Sequence, residues 1–209
     1  MIFISSCAGC NEPGDVLCRR CRFSLVSTTP VLAAAEVRAA MPFDGVARQA
    51  VLGLKFRNRR GVAKQLASLM VRRLLPARGV TRSVDLVTWA PTSAARIADR
   101  GYDQAELLAR AVAKELGVPC RRMLYRTHGS PQAGRDRTAR IGGPSFRART
   151  PRQAMRVLVV DDVVTTGATL AAARQSLLAA GVAEVQCIAA AATPSGASPW
   201  AARHLALAS

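Results

Sequence analysis

The sequence predicts an α/β fold, a parallel sheet flanked by helices, behind a small N-terminal head built on four cysteines. Three observations point to it. Strand-like apolar runs at 85–91, 157–161 and 185–192 alternate with helical stretches, in the order of α/β crossovers. The run 157–161 ends on two adjacent carboxylates and then a small, hydroxyl-rich turn before a helix. Two Cys-x-x-Cys pairs open the chain, Cys7–Cys10 and Cys18–Cys21. With 209 residues, 50% of them hydrophobic, the chain has room for one sizeable domain and a small appendage. Aromatics make up only 4%, so the core must be built from Ala, Val and Leu.

The cysteine head comes first. The two pairs stand seven residues apart, a spacing that can close four thiolates around zinc. Gly9 eases the first knuckle, and the polar loop 11–17 is too short to bury a core of its own, so metal would supply folding energy. Disulfides and free thiols are the alternatives, and disulfides are disfavoured in the cytosol. Four cysteines leave no open coordination position, so the zinc expected at Cys7, Cys10, Cys18 and Cys21 is structural. Cys120 and Cys187 lie in apolar sequence and are expected in the core.

Residues 22–41 are expected to be a linker, giving domains at 1–25 and 40–193 and a tail at 194–209. Met41 to Gly45 reads as a short strand and turn. Val46 to Lys55 reads as a helix with Arg48 and Lys55 exposed, followed by a basic turn, Phe56 to Gly61. Apolar spacing at Val62, Leu66, Leu69, Met70 and Leu74 predicts a helix that Pro76 ends. A strand at Asp85–Pro91 leads into a connection, 92–104, and then a helix from Ala105 to Leu116. Gly117 and Pro119 close that helix and begin another strand. From 124 to 156 eight arginines, Arg137 and Arg140 among them, face a single acid, Asp136, and Gly and Pro prevent long regular elements. This stretch is expected to be a mobile basic loop able to clamp pyrophosphate or touch nucleic acid.

The chemistry concentrates at Val157-Leu-Val-Val-Asp161-Asp162-Val-Val-Thr165-Thr166-Gly167-Ala168-Thr169. It reads as strand, acidic tip, anion-binding loop, helix. A helix N-terminus offers free N–H groups and a positive dipole end to a phosphate. Two carboxylates can accept from a vicinal diol. Diol and phosphate side by side describe a ribose 5-phosphate. No Gly-Lys-Ser/Thr follows, so this is not a Walker loop. The net charge of +17 favours polyanions, whether nucleic acid or a polyphosphate substrate. No apolar run approaches a membrane span, so no membrane insertion is expected. Met1 to Cys7 lacks the regions of an export signal, so a cytoplasmic location is the expectation.

The segment 157–169 resembles the phosphoribosyl pyrophosphate (PRPP) motif of type I phosphoribosyltransferases. Together with the four-cysteine head, Asp44-Gly45 to Lys55-Phe56, Arg96, Arg100-Gly101-Tyr102-Asp103-Gln104, and Arg126 with Gln132, Arg137, Arg140 and Phe146, the chain resembles the competence-associated ComF family over residues 7–193. That family commonly shows Arg-Gly-Phe-Asn-Gln where this chain has Asp103, an added negative charge near the anion site.

The resemblance implies a type I phosphoribosyltransferase-like parallel sheet flanked by helices, an N-terminal zinc finger, and a part in DNA uptake during natural transformation. It implies PRPP binding with Mg2+. Asp161 and Asp162 would hold the ribose hydroxyls, and Thr165, Thr166, Gly167, Ala168 and Thr169 the 5-phosphate. Pro91, Thr92, Ser93, Arg96 and Arg100 are candidates for the pyrophosphate, and Arg137 or Arg140 for a lid. No general base for an acceptor stands out, and His128 is a lone loop histidine. The competing expectation is a non-catalytic single-stranded nucleic-acid-binding protein or a regulator on the same fold. Single-stranded DNA is the expected polymer, and a DNA-uptake helicase could dock on the finger.

Overall fold

The computed structural model describes residues 6–32, 37–74, 84–127 and 144–193. Helix α1 (Arg19–Val26) starts inside the second cysteine pair. Strands β1 (Val31–Leu32) and β2 (Arg38–Pro42) follow. Helices α2 (Gly45–Phe56) and α3 (Val62–Leu74) lead to β3 (Leu86–Trp89). Then come α4 (Ala94–Arg100), α5 (Gln104–Leu116), β4 (Leu124–Thr127) and β5 (Ser145–Ala148). The chain continues through β6 (Arg156–Val164), α6 (Ala168–Ala179) and β7 (Glu184–Ala192).

Five strands form the main sheet in the order β1-β2-β7-β6-β3, and β4 pairs with β5 in a separate ladder. All pairings in the main sheet are parallel except β1 with β2. The α/β expectation therefore holds. Side chains alternate across the sheet, so each strand feeds two cores. Val87, Trp89, Leu158, Val160 and Ile188 face one, beneath α2, α3 and α5. Leu86, Val157, Val159, Val185 and Ala189 face the other, beneath α6 and the β4–β5 hairpin.

The helices form for legible reasons. In α5 the buried positions Leu108, Ala109, Val112 and Ala113 make one stripe, Asp103 caps the start, and Gly117 ends it at φ 70°. In α3 the stripe is Val62, Leu66, Leu69 and Met70. Three expectations need correction. Residues 22–41 are not simply a linker, because α1 runs to Val26 and β1 and β2 add an edge to the sheet. The connection 92–104 contains α4, which buries no residue and so carries no apolar stripe. The basic stretch 124–156 begins and ends in short strands, with Leu124↔Ala148 to Thr127↔Ser145 paired antiparallel. Arg137, Arg140, His128 and the tail 194–209 lie outside the described residues.

Among the described residues, no helix is long and apolar enough to cross a membrane. Cys120 and Cys187 pack as half-buried members of the two cores, and burial pushes their thiols up to about 11 and about 12.

Thr88 is a buried hydroxyl in the middle of β3. It accepts from Met123 N at 3.1 Å and ties the start of β4 to the main sheet. Thr88→Val keeps the shape but strands a buried N–H, so it should cost about 1–3 kcal/mol in chemical denaturation. Thr88→Ser should remain close to wild type.

Candidate functional site

The acid pair lies within β6 rather than at its tip. β6 pairs with β7 as far as Val164↔Ala192, while β3 stops at Trp89↔Val160. Past Val160 one flank of β6 is therefore free of a strand partner, and the chain leaving β3 turns away after Ala90 N donates to Val160 O. A cavity of about 340 Å3 opens there. Ligands of open α/β sheets collect at such carboxyl ends. Pro91, Thr92, Arg96, Arg100, Asp161, Asp162 and Thr169 all line it, so the two sequence-distant candidate groups meet. Ser93 is not on its wall; it caps α4, accepting from Arg96 N.

Four further polar residues line this wall: Asp103, expected near the anion site, and Lys55, Gln104 and Arg126, which were not named as site residues. Asp162 continues the phase of Leu158 and Val160, on the face covered by α2. Lys55, from the last turn of α2, meets it with Nζ 3.0 Å from Asp162 Oδ1. The two side chains are 20% and 11% exposed, which corrects the expectation of an exposed Lys55. The signal was the alternation along β6, which aims Asp162 at whatever covers that face. Arg126, on β4, reaches the cavity from the hairpin. Asp103 and Gln104 supply the start of α5.

Asp103, 6% exposed, accepts from Thr92 N and Ala105 N, each at 3.0 Å. One carboxylate thus caps α5 and pins the turn after β3. Burial raises its carboxyl, opposed by those N–H donors. Gln104 is 3% exposed, and its Oε1 has no hydrogen-bond partner among the described residues. Arg100 lays its guanidinium 4.5 Å above the ring of Phe56, which is 62% exposed. Arg60 sits 4.3 Å above Tyr102.

Burial, and then the charge of Asp162, push the carboxyl of Asp161 well above the ordinary carboxylate range. The Asp162 N–H, donated to Asp161 Oδ1 at 2.8 Å, and Lys55 act the other way.

Beside the cavity, Asp161, Val163 and the turn Thr165 to Thr169 surround a small depression of about 30 Å3. Thr165, Thr166 and Ala168 are exposed and Gly167 is buried. Gly167 has φ 79°, a left-handed conformation suited to glycine, and serves as N-cap of α6 without a side-chain cap bond. The N–H groups of the first turn of α6 are thus presented to the depression. Thr166 Oγ1 accepts from Ala168 N at 3.4 Å.

The head brings its four cysteines together, with the sulfurs all within 4.8 Å of one another. Cys10 and Cys18 stand 3.7 Å apart, close to the edge of about 3.8 Å that a tetrahedron of Zn–S bonds requires. Burial disfavours the Cys7 thiolate, but backbone N–H groups of Cys18, Cys10 and Gly9 outweigh it and lower the thiol to about 6. Burial raises the Cys21 thiol. The donor set fits zinc, which these cysteines could hold. A Cβ on Gly9 would come within 2.7 Å of Cys21 Sγ and 2.8 Å of Val46, so only glycine lets the knuckle touch α2 this closely.

The profile of the family described as "Phosphoribosyl transferase domain" matches residues 97–206. The chain is similar to the DNA utilization protein YhgH of Salmonella typhimurium, 33% identical over 139 residues, covering 64% of this chain and 61% of that protein. It is likewise similar to the protein of that name from Escherichia coli, 32% identical over 142 residues with the same coverage. The match thus spans 61% of these relatives' own length. Among solved structures it is similar to an adenine phosphoribosyl transferase from Trypanosoma brucei, with TM-score 0.47 and 15% identity over 78% of this chain and 73% of that one. A second is described as the allosteric regulatory enzyme of purine biosynthesis, with TM-score 0.45 and 18% identity over 67% of this chain and 30% of that one.

The raised carboxyl of Asp161 has a direct consequence. A carboxyl raised in the folded state stabilises the protein fully below its unfolded value, and that contribution is lost as pH rises through the folded value. At neutral pH, Asp161 therefore weighs against the ligand-free fold. Asp161→Asn keeps an acceptor for the Asp162 N–H and removes the charge. Its melting temperature should exceed that of wild type at pH ~7.5, with the gap closing as pH falls toward ~4. Equal melting at both pH values would contradict this account.

Proposed function

This chain belongs to the phosphoribosyl transferase domain family and is of the ComF type, and from that premise we propose that its cavity binds PRPP together with Mg2+. The observation that carries the reading is the juxtaposition of two carboxylates and three guanidinium groups around one cavity, with the start of α6 at the depression beside it. In this reading Asp161 and Asp162 hold the ribose hydroxyls. Thr165, Thr166, Gly167, Ala168 and Thr169 wrap the 5-phosphate. Arg96, Arg100 and Arg126 face the pyrophosphate, with Pro91, Thr92 and Ser93 shaping the turn beneath it.

Mg2+ suits the hard carboxylate oxygens of Asp161 and Asp162, directly or through water, and would help neutralise the pyrophosphate. The protein's own contribution follows from charge. Breaking the bond between ribose C1 and pyrophosphate builds negative charge on the leaving group, and fixed guanidinium groups in a walled cavity stabilise it. Arg137 and Arg140, which lie outside the described residues, are the lid candidates in this reading. The cysteine head carries a structural zinc. Four cysteines held as a zinc site rather than as disulfides suit a cytoplasmic location.

A second reading, binding of single-stranded nucleic acid, is favoured by the exposed ring of Phe56 under Arg100 at the cavity mouth and by the net charge of +17. It accords with a part in DNA use, as the name of the curated relatives describes for them. The polymer would be single-stranded DNA, and a helicase that handles incoming DNA is a natural neighbour for the head.

Calorimetric titration separates the readings. Wild type should bind Mg·PRPP, and the Asp161→Asn/Asp162→Asn double variant should lose at least about tenfold in affinity. Binding by neither protein would remove the phosphoribosyl reading. Salt-sensitive binding of an oligonucleotide that survives in the double variant would then leave the nucleic-acid reading standing.

A further inference from the structure

Lys55 lies outside the residues that the family profile matches, 97–206, yet it forms the closest charge contact of the acid pair. A buried Lys–Asp pair is a poor source of stability, because desolvating both charges offsets most of their attraction. What it does well is fix a charge in place. Asp161 and Asp162 are neighbours at one cavity, where an ammonium 3.0 Å from Asp162 Oδ1 offsets the repulsion between the two side chains. Arg96, Arg100 and Arg126 also line the cavity, but the ammonium of Lys55 is the one within ion-pair distance of Asp162 among the described residues.

The placement of Lys55 depends on the cysteine head. Lys55 ends α2, whose start is pressed by Gly9 through Val46. The other end is bolted by Arg59. Its guanidinium donates to Cys7 O at 2.6 Å, to Ser6 Oγ at 2.8 Å and to Asn11 Oδ1. Its backbone N–H donates to Gly53 O, 3.1 Å away within α2. Gly53 makes room for the same side chain: a Cβ there would lie 3.3 Å from Arg59 Cδ and 3.7 Å from Ala8. On the opposite side the Tyr102 hydroxyl donates to Leu54 O, tying the last turn of α2 to the Arg100–Gln104 segment. Both ends of α2 are thus held by residues of the first knuckle, and the lysine projects from the held end.

We propose that Lys55 is a positioning residue of the phosphoribosyl site, holding the Asp162 carboxylate for the ribose hydroxyls, and that the four-cysteine head serves this site by clamping α2. The proposal rests on the phosphoribosyl reading above. It gives the head a task inside the protein, and it separates Lys55 from the arginines that face the leaving group.

The test uses the full chain with ribose 5-phosphate and inorganic pyrophosphate as separate probes, each with Mg2+. Lys55→Met should weaken ribose 5-phosphate by about tenfold, the worth of one oriented charged acceptor, and leave pyrophosphate within about twofold. Lys55→Arg should restore most of the loss. In the Asp162→Asn background, Lys55→Met should add nothing, because its effect runs through that carboxylate. Arg59→Met should show the same selectivity with a smaller loss. An unchanged ribose 5-phosphate affinity in Lys55→Met overturns the proposal. An equal loss for both probes also overturns it, since that marks a general cation or a damaged fold. Unchanged affinity in Arg59→Met overturns the part assigned to the head. Failure of wild type itself to bind ribose 5-phosphate is a different result and overturns the phosphoribosyl reading.

Discussion

Two carboxylates on consecutive residues of a largely buried strand are unfavourable, and much of the surrounding structure answers that cost. Each loses water, and each raises the energy of the other's charge. The Asp162 N–H and Lys55 work in the opposite direction. Lys55 sits in the last turn of α2. The end of α2 fixes Arg59, and Arg59 fixes the first cysteine knuckle. A chain of short contacts therefore runs from the site to the head. The two share one continuous core that includes Cys7, Leu17 and Leu25 with α2 and α3.

The sheet order explains why the site lies where it does. β6 has β7 on one side along its whole length and β3 on the other only as far as Val160. Strands of unequal length leave a notch at their carboxyl ends, and both following loops must pass it. The loop after β3 is held in place by the bond from Thr92 N to Asp103. An asparagine at that position would present an NH2 group to one of its two donors, whereas the carboxylate accepts with each oxygen separately, Oδ2 from Thr92 N and Oδ1 from Ala105 N. Its charge is thereby directed into backbone N–H groups, which limits the electrostatic penalty at the neighbouring anion site.

What was legible in the sequence was what local patterns encode. The apolar run into Asp161-Asp162, the turn through Gly167 and the start of α6 are contiguous, so their geometry is nearly dictated by order along the chain. The cysteine spacing is equally local. The α/β class followed from alternating periods. Lys55 and Arg126 were not legible as site residues because each reaches the cavity from an element distant in sequence. Lys55 also occupies the polar side of an amphipathic helix, where solvent is the ordinary expectation. Helix α4 escaped because it buries nothing. The strand β6 proved longer than expected because an acid pair normally marks the end of a buried strand, while here β7 continues to pair beyond it.

The strong positive charge takes on a more specific meaning in this setting. Phosphoribosyl chemistry requires a few cations fixed at known distances, not a field. In the proposed reading Arg96, Arg100, Arg126 and Lys55 would meet that need within one cavity. Phe56 lines the same cavity as an exposed ring with the Arg100 guanidinium on its face. That pairing is what favours the nucleic-acid reading, since stacking and cation–π contact suit a base beside a backbone phosphate. Phe56 follows Lys55 directly on α2, so one helix end brings both residues to the cavity. A shift of that helix end would therefore move Lys55 and Phe56 together.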